Sequence, residues 1–219
     1  MKLINIPFFY KRKIVIPKKL MYNLPLKVML FTTAQYVNQI SSIKNQLEQN
    51  GKIVLLKKLN HTNIKGQILG CNILEIKGDF EAFLYIGEGK FHPKALTYAN
   101  KKDVFCFDPI ALKYNTIKYD SQSTKIKNAK IAKFLFSENI GVLFTVKPGQ
   151  FKDFKLDILK KKFKDKKFYP LINDSYNFSE LEDFRFIDCF VNTACPRIGV
   201  DDFDVIQKPI VNLFDIMDI

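Results

Sequence analysis

The sequence predicts an α/β protein built from two tandem small units with mostly parallel sheets. Three observations carry this. Short apolar runs rich in β-branched and aromatic residues recur along the chain, and each reads as a covered strand. Helical periodicity falls between successive runs, which makes the runs parallel neighbours joined by right-handed crossovers. After a polar stretch near residue 121 the pattern starts again, giving one unit over 1–120 and another over 121–219.

The elements follow in order. Residues 3–17 mix apolar and basic positions irregularly around two prolines and read as an extended lead-in, of a kind that something else normally precedes or covers. Residues 27–33 form a buried strand, and 34–50 a helix with Val37, Ile40, Ile43 and Leu47 on one face and Gly51 as its C-terminal stop. Residues 52–56 complete a β-α-β unit. A polar loop over 60–71 leads to strand 82–86, a short helix opened by Pro93, and strand 103–107 halted by Asp108-Pro109. Residues 113–123 are polar and read as the connection between units. The second unit has an amphipathic helix over 124–138, strand 140–146, the turn Lys147-Pro-Gly-Gln150, helix 151–163, strand 168–172 and a short helix over 179–184. A last apolar strand from Phe186 ends at Cys195, because Pro196 cannot donate to a sheet ladder.

Composition narrows the function. The 219 residues are 47% hydrophobic and 14% aromatic, enough for real cores, and no run nears the ~20 apolar residues of a membrane span. Residues 1–13 have too short an apolar core and no small-residue cleavage site for a signal peptide. A cytoplasmic protein with reduced thiols is therefore expected. The formal net charge of +13 permits an anionic partner. Arg12, Arg185 and Arg197 are the only arginines, however, so Lys supplies 32 of the 35 basic residues. Phosphate recognition favours the planar fork of Arg. With 21 Phe and no Trp, the Lys excess reads as compositional drift, and no direct nucleic-acid role and no membrane role are expected.

Polar clusters with Gly, Thr, Gln or Cys fall at the predicted strand C-termini, where open α/β sheets place their ligands. They are Thr32-Thr-Ala-Gln35, Gly66 to Cys71, Gly87 to His92, Thr145 to Gln150, Asn173-Asp174 and Cys195 to Arg197. Gly87-Glu-Gly-Lys is not a full dinucleotide fingerprint, and Lys147-Pro-Gly-Gln is not a P-loop. Cys71 and Cys195 lie one per unit at such edges, and Arg197 is a permanent cation two residues from the second thiol, a setting that favours a thiolate. Cys106 and Cys189 lie inside apolar strands and read as core. No CxxC or CxxxCxxC occurs, so any metal site gathers ligands from separate domains. His92 is a candidate ligand or proton donor, with helix capping as its plain reading; His61 reads as a surface residue.

Taken in order, Thr32-Thr-Ala-Gln35, Gly66-Gln-Ile-Leu-Gly-Cys-Asn72, Tyr85-Ile-Gly-Glu-Gly-Lys-Phe-His-Pro93, Thr145-Val-Lys-Pro-Gly-Gln150, Ala194-Cys-Pro-Arg-Ile-Gly-Val-Asp-Asp202 and Lys208-Pro209 resemble the archaeal diphthamide-biosynthesis radical enzymes, the 2-(3-amino-3-carboxypropyl)histidine synthases. The resemblance runs over nearly the whole chain. It implies two Rossmann-like units equivalent to the second and third domains of a three-domain enzyme built around a 4Fe–4S cluster. It makes Cys71 and Cys195 the iron ligands of those domains, and leaves the first-domain Cys motif without a counterpart. It implies S-adenosylmethionine as co-substrate, held by Gln35, Gly87, Gly89, His92, Lys147, Gln150 and Arg197. It implies a radical aminocarboxypropyl transfer to a histidine of translation elongation factor 2. The partners expected are that factor and a separate chain supplying the first domain and third Cys, assembled as a dimer of such pairs. The alternatives are a non-catalytic accessory subunit of the same enzyme, a quinolinate synthase-like cluster enzyme, which the His-Pro and Cys-Pro-Arg motifs oppose, and a basic nucleic-acid-binding protein, which needs neither thiol.

Overall fold

The computed structural model describes residues 8–147, 156–201, 207–217 and 219. The chain divides into two compact units, 1–121 and 122–219.

In the first unit, β1 (Lys27–Thr32), β2 (Ile53–Leu55), β3 (Ala82–Ile86), β4 (Val104–Asp108) and β5 (Lys113–Ile117) form a sheet in the order β2-β1-β3-β4-β5. The first four run parallel and β5 pairs antiparallel with β4. All five residues of β3 are buried, which is why Ala82-Phe-Leu-Tyr-Ile86 is an unbroken apolar run rather than an alternating one. Helix α2 (Ile40–Glu48) lays Ile40, Ile43 and Leu47 against Leu30 and Leu84 on one face. Helix α3 (Phe91–Asn100) places Leu96 against Phe31, Phe83 and Tyr85 on the other.

The first residues of the expected helix at 34–50 form a 3-10 turn, Ala34–Gln39, before α2 begins, and Gly51 ends it at φ +77°. Pro93 is the third residue of α3, still within the first turn, where no backbone donor is missed. The lead-in belongs to this core: beyond it comes α1 (Lys18–Asn23), and Ile14 and Ile16 are 2% and 1% exposed while Val15 between them is 64% exposed. Gln46 of α2 ties the segment down by accepting from Ile16 N (3.1 Å) and donating to Ile14 O (2.8 Å). The stretch read as a polar connection contains β5. Its residues are almost all exposed, so an edge position, not a linker, accounts for their polarity.

In the second unit, β6 (Asn139–Thr145), β7 (Lys167–Asn173), β8 (Cys189–Asn192) and β9 (Ile210–Asn212) form an all-parallel sheet in the order β7-β6-β8-β9. It carries α4 (Ser121–Phe136), which begins at the unit boundary, α5 (Leu156–Lys162), α6 (Phe178–Leu181), α7 (Ile198–Asp201) and α8 (Leu213–Met217). The apolar stripe expected on α4 is only partly used: Phe134 is fully buried, whereas Ala129, Ala132 and Leu135 are exposed. Lys166 secures the end of this helix. Nearly buried itself, it donates to Leu135 O (2.8 Å) and Ser137 O (2.7 Å) and lies over the Phe134 ring. Strand β8 stops at Asn192, three residues before the predicted end, so Cys195 stands in the following turn.

Both sheets change direction at their first strand. The chain passes from β1 to β2 on one side and returns to β3 on the other, and β6, β7 and β8 repeat this. The crevice outside the strand C-termini at such a point is where open α/β sheets bind ligands.

Candidate functional site

At the edge of the first unit, Thr32 Oγ1 donates to Ile86 O (2.7 Å) and joins the ends of β1 and β3. The turn after β3 needs its glycines. Gly87 has φ +153°, and a Cβ there would lie 2.6 Å from the Tyr85 hydroxyl; Gly89 has φ +68°. This turn delivers Glu88 to the 3-10 segment. Gln35 Nε2 donates to Glu88 Oε2 (2.9 Å) and the Tyr36 hydroxyl donates to Oε1 (2.5 Å). The Tyr85 hydroxyl donates to Glu88 O (3.3 Å) and lies 3.3 Å from His92 Nδ1. Burial, followed by the Glu88 interaction, pushes the Tyr36 phenol well above its ordinary range, and burial does the same to Tyr85, so both remain neutral donors. An open cleft of about 900 Å³ on this edge is lined by Gln35, Tyr36, Gln67 and Leu69 among others.

Cys71 is exposed on the loop between β2 and β3. Thr32 N donates to Gly66 O and Ile68 N to Thr32 O (2.8 and 2.9 Å), which pins the loop to the end of β1. The buried Asn72 accepts from Leu69 N (2.8 Å) and donates to Asn60 O (3.0 Å). A Cβ on Gly70 would lie 1.9 Å from the Phe91 ring, so the loop runs directly against the start of α3, next to His92. Of the expected site residues, Gln35, Gly87, Gly89, His92 and Cys71 therefore share this edge.

At the edge of the second unit, a cleft of about 260 Å³ is lined by Thr145, Lys147, Asp174, Tyr176, Ala194 and Cys195, among others. Thr145 Oγ1 donates to Asp174 O and accepts from Lys147 N, both at 3.2 Å. The Tyr176 hydroxyl donates to Leu171 O (2.7 Å) and to Phe144 O. Cys195, partly exposed, thus faces the same cleft as Lys147. Arg197 is 6% exposed. Gln150 lies outside the described residues.

No disulfide joins any of the four cysteines. Cys106 and Cys189 are buried in β4 and β8, and burial pushes both thiols up to about 12, so neither offers a thiolate near neutral pH. Among the described residues, no group of three or more His, Cys, Asp or Glu gathers into a metal site. Each unit offers one accessible soft donor at its ligand edge.

Residues 11–217 match the family described as "Putative diphthamide synthesis protein". The chain belongs to this family. The 2-(3-amino-3-carboxypropyl)histidine synthase of Pyrococcus horikoshii is 31% identical over 190 residues, which cover 84% of this chain and 54% of the relative. That of Methanocaldococcus jannaschii is 30% identical, with 88% of this chain and 62% of the relative covered. Subunit 1 of the Candida albicans synthase is 26% identical, covering 91% and 48%. The crystal structure of Dph2 from P. horikoshii with a 4Fe–4S cluster superposes with a TM-score of 0.73 at 28% identity, over 90% of this chain and 57% of that one. The chain thus spans about half the length of the relatives it matches. The resemblance and the α/β fold expected from the sequence both hold for this member of the diphthamide synthesis family. No role was assigned from the sequence to Glu88, Tyr36 or Asn72, although Glu88 and Asn72 lie inside the clusters at 87–92 and 66–72.

Proposed function

We propose that this chain acts as the second and third domains of a 4Fe–4S, S-adenosylmethionine-dependent 3-amino-3-carboxypropyl transferase, which modifies a histidine of translation elongation factor 2 in the first step of diphthamide synthesis. The observation that carries this is the sorting of the thiols. Only Cys71 and Cys195 are accessible, each at the ligand edge of its own unit, while Cys106 and Cys189 are buried and held protonated. Cys71 and Cys195 would each give one thiolate to the cluster. A separate chain would supply the first domain and the third Cys, and two such pairs would form the working dimer. Reduced thiols suit a cytoplasmic setting.

The cluster, when bound, supplies the electron and the open iron position for radical formation from S-adenosylmethionine. The residues of this chain hold and orient that molecule. Lys147 brings a positive charge to the cleft shared with Cys195, suited to the carboxylate of the amino-acid part. Backbone N–H groups at the start of α3, after Gly89, offer a second place for an anion. Gln35 and the Gly87–Gly89 turn, joined through Glu88, form one wall of the first unit's edge, with His92 beside it. Gln150 and Arg197 complete the proposed set.

The test is co-expression with a candidate first-domain polypeptide, anaerobic reconstitution, and measurement of iron, cluster absorption and labelled transfer to elongation factor 2. Cys71→Ala and Cys195→Ala should each lose iron and transfer, while Cys106→Ala keeps both. Equal loss from Cys106→Ala would overturn the ligand assignment. A stable cluster and full transfer from this chain alone would overturn the split assembly.

A further inference from the structure

Two buried amides stand under the Cys195 turn. Asn192 closes β8 and Asn212 closes β9; they are register partners in the sheet and are 2% and 1% exposed. Asn192 Nδ2 donates to Asn212 Oδ1 (2.7 Å) and to Cys195 O (2.8 Å), and Asn192 Oδ1 accepts from Ala194 N (3.0 Å). Asn212 Nδ2 donates to Pro196 O (2.9 Å). The pair therefore contacts the backbone at Ala194, Cys195 and Pro196, the thiol residue and both its neighbours. Buried amides tolerate few unmet bonds, and here both are engaged through donor and acceptor. The turn has little freedom to slide along the sheet end. Gly199 completes the seat: a Cβ there would lie 2.7 Å from Asn212 Nδ2, so only glycine lets α7 settle over the amide. Lys130 of α4 donates to Gly199 O (2.9 Å) and holds that end as well.

We propose that Asn212, acting through Asn192 and the Cys195–Pro196 backbone, is a positioning residue that sets where the Cys195 thiol stands. The proposal rests on Cys195 having a functional role, but not on the cluster being bound. Its effect passes through two carbonyls, Cys195 O by way of Asn192 and Pro196 O directly.

The test uses the chain without iron. Site-resolved alkylation by iodoacetamide is followed by mass spectrometry for Cys195 and, as internal control, Cys71. Two variants perturb the same seat differently: Asn212→Ala removes the amide, and Gly199→Ala leaves it but pushes it aside. Each should raise the Cys195 rate severalfold, leave the Cys71 rate unchanged and retain a cooperative unfolding transition. In the reconstituted assembly, iron affinity should then fall about 10–100-fold, as for loss of other outer-shell partners. An unchanged Cys195 rate in the folded variants overturns the proposal, as does an equal rise at Cys71. Failure of both variants to fold also overturns it, because the amide is then a structural element only. The alkylation result stands whether or not Cys195 binds iron, so failure of the cluster assignment is read separately.

Discussion

In the first unit the accessible thiol rides on a long loop, and Asn72 beside it bonds to other loop backbone, at Asn60 and Leu69. In the second unit the thiol follows a central strand by three residues, and the asparagines beneath it are the last residues of β8 and β9. The Cys71 loop meets the sheet at Gly66 and Ile68, which bond Thr32 of β1, and is held by loop backbone beside the thiol itself, whereas the Cys195 turn is bonded to sheet asparagines at the thiol residue. The ring that Gly70 packs against is half exposed, whereas the ring that Gly141 of β6 packs against, Phe190, is fully buried. A site fixed to a sheet inherits the sheet's rigidity. A site fixed to a loop depends on local contacts that yield more easily.

The largest expected contrast separates the edge thiols from the core thiols. At pH 8, iodoacetamide should modify Cys71 and Cys195 more than about a hundredfold faster than Cys106 and Cys189, since the thiolate is the reacting form. Burial pushes both core thiols from the ordinary 9.0 up to about 12. The native state therefore keeps protons that the unfolded chain releases. The stability this linkage provides is fully present below pH 9 and is lost as pH rises through about 12. Denaturant midpoints measured from pH 8 to 11 should fall less steeply in Cys106→Ala than in the parent chain. Matching slopes would show that the core thiols are not what separates the two classes.

Next come the two glycines. In Gly141→Ala the new Cβ would lie 2.5 Å from Phe190 and 3.0 Å from Ile187, both buried, so the core has to move. Overpacking of this kind costs about 1–3 kcal/mol. In Gly70→Ala the nominal clash with Phe91 is closer, yet that ring can swing into solvent, and a loss below about 1 kcal/mol is expected. Its signature should be a changed Cys71 alkylation rate instead. Urea melts of both variants decide this, and equal losses would erase the distinction between the two edges.

That distinction also explains how much the sequence revealed. The parallel strands were legible because β1, β3, β6 and β8 are covered and so carry continuous apolar runs. The sorting of four cysteines into edge and core followed from the same runs. Strand β5 was not legible, since an exposed edge strand has no reason to be apolar, and β9 has only three residues. The supports were hidden for another reason. Glu88, Asn72 and Asn212 each have a partner 12 to 53 residues away in sequence, and pairings of that kind depend on topology rather than on local pattern.

A smaller effect is expected at Asn72. Asn72→Ala removes one acceptor and one donor from a buried position, and about 1–2 kcal/mol should be lost. Hydrogen exchange should quicken over residues 60–72 without spreading to β1 or β3. Spread into those strands would mean that the loop and the sheet form one cooperative unit, and the comparison between the two thiol supports would fail.

The smallest effect is expected at Tyr36. Its hydroxyl stays protonated across the neutral range, because burial and the neighbouring Glu88 both oppose ionisation. Tyr36→Phe removes one hydrogen bond to a carboxylate that still receives Gln35 Nε2. Bonds to charged groups reach 1.5–3 kcal/mol when fully enclosed, but Glu88 is only partly buried and water can replace the hydroxyl, so a loss of about 1 kcal/mol is expected. Gln35→Ala alone should cost a similar amount. The double variant should then cost more than the two singles together, since Glu88 loses both side-chain donors at once and the turn after β3 loses its hold on the end of β1. Additive losses in a double-mutant cycle would show that Tyr36 and Gln35 bind Glu88 independently. The first unit's edge would then be a set of separate contacts, without the shared anchor that Asn192 and Asn212 provide in the second.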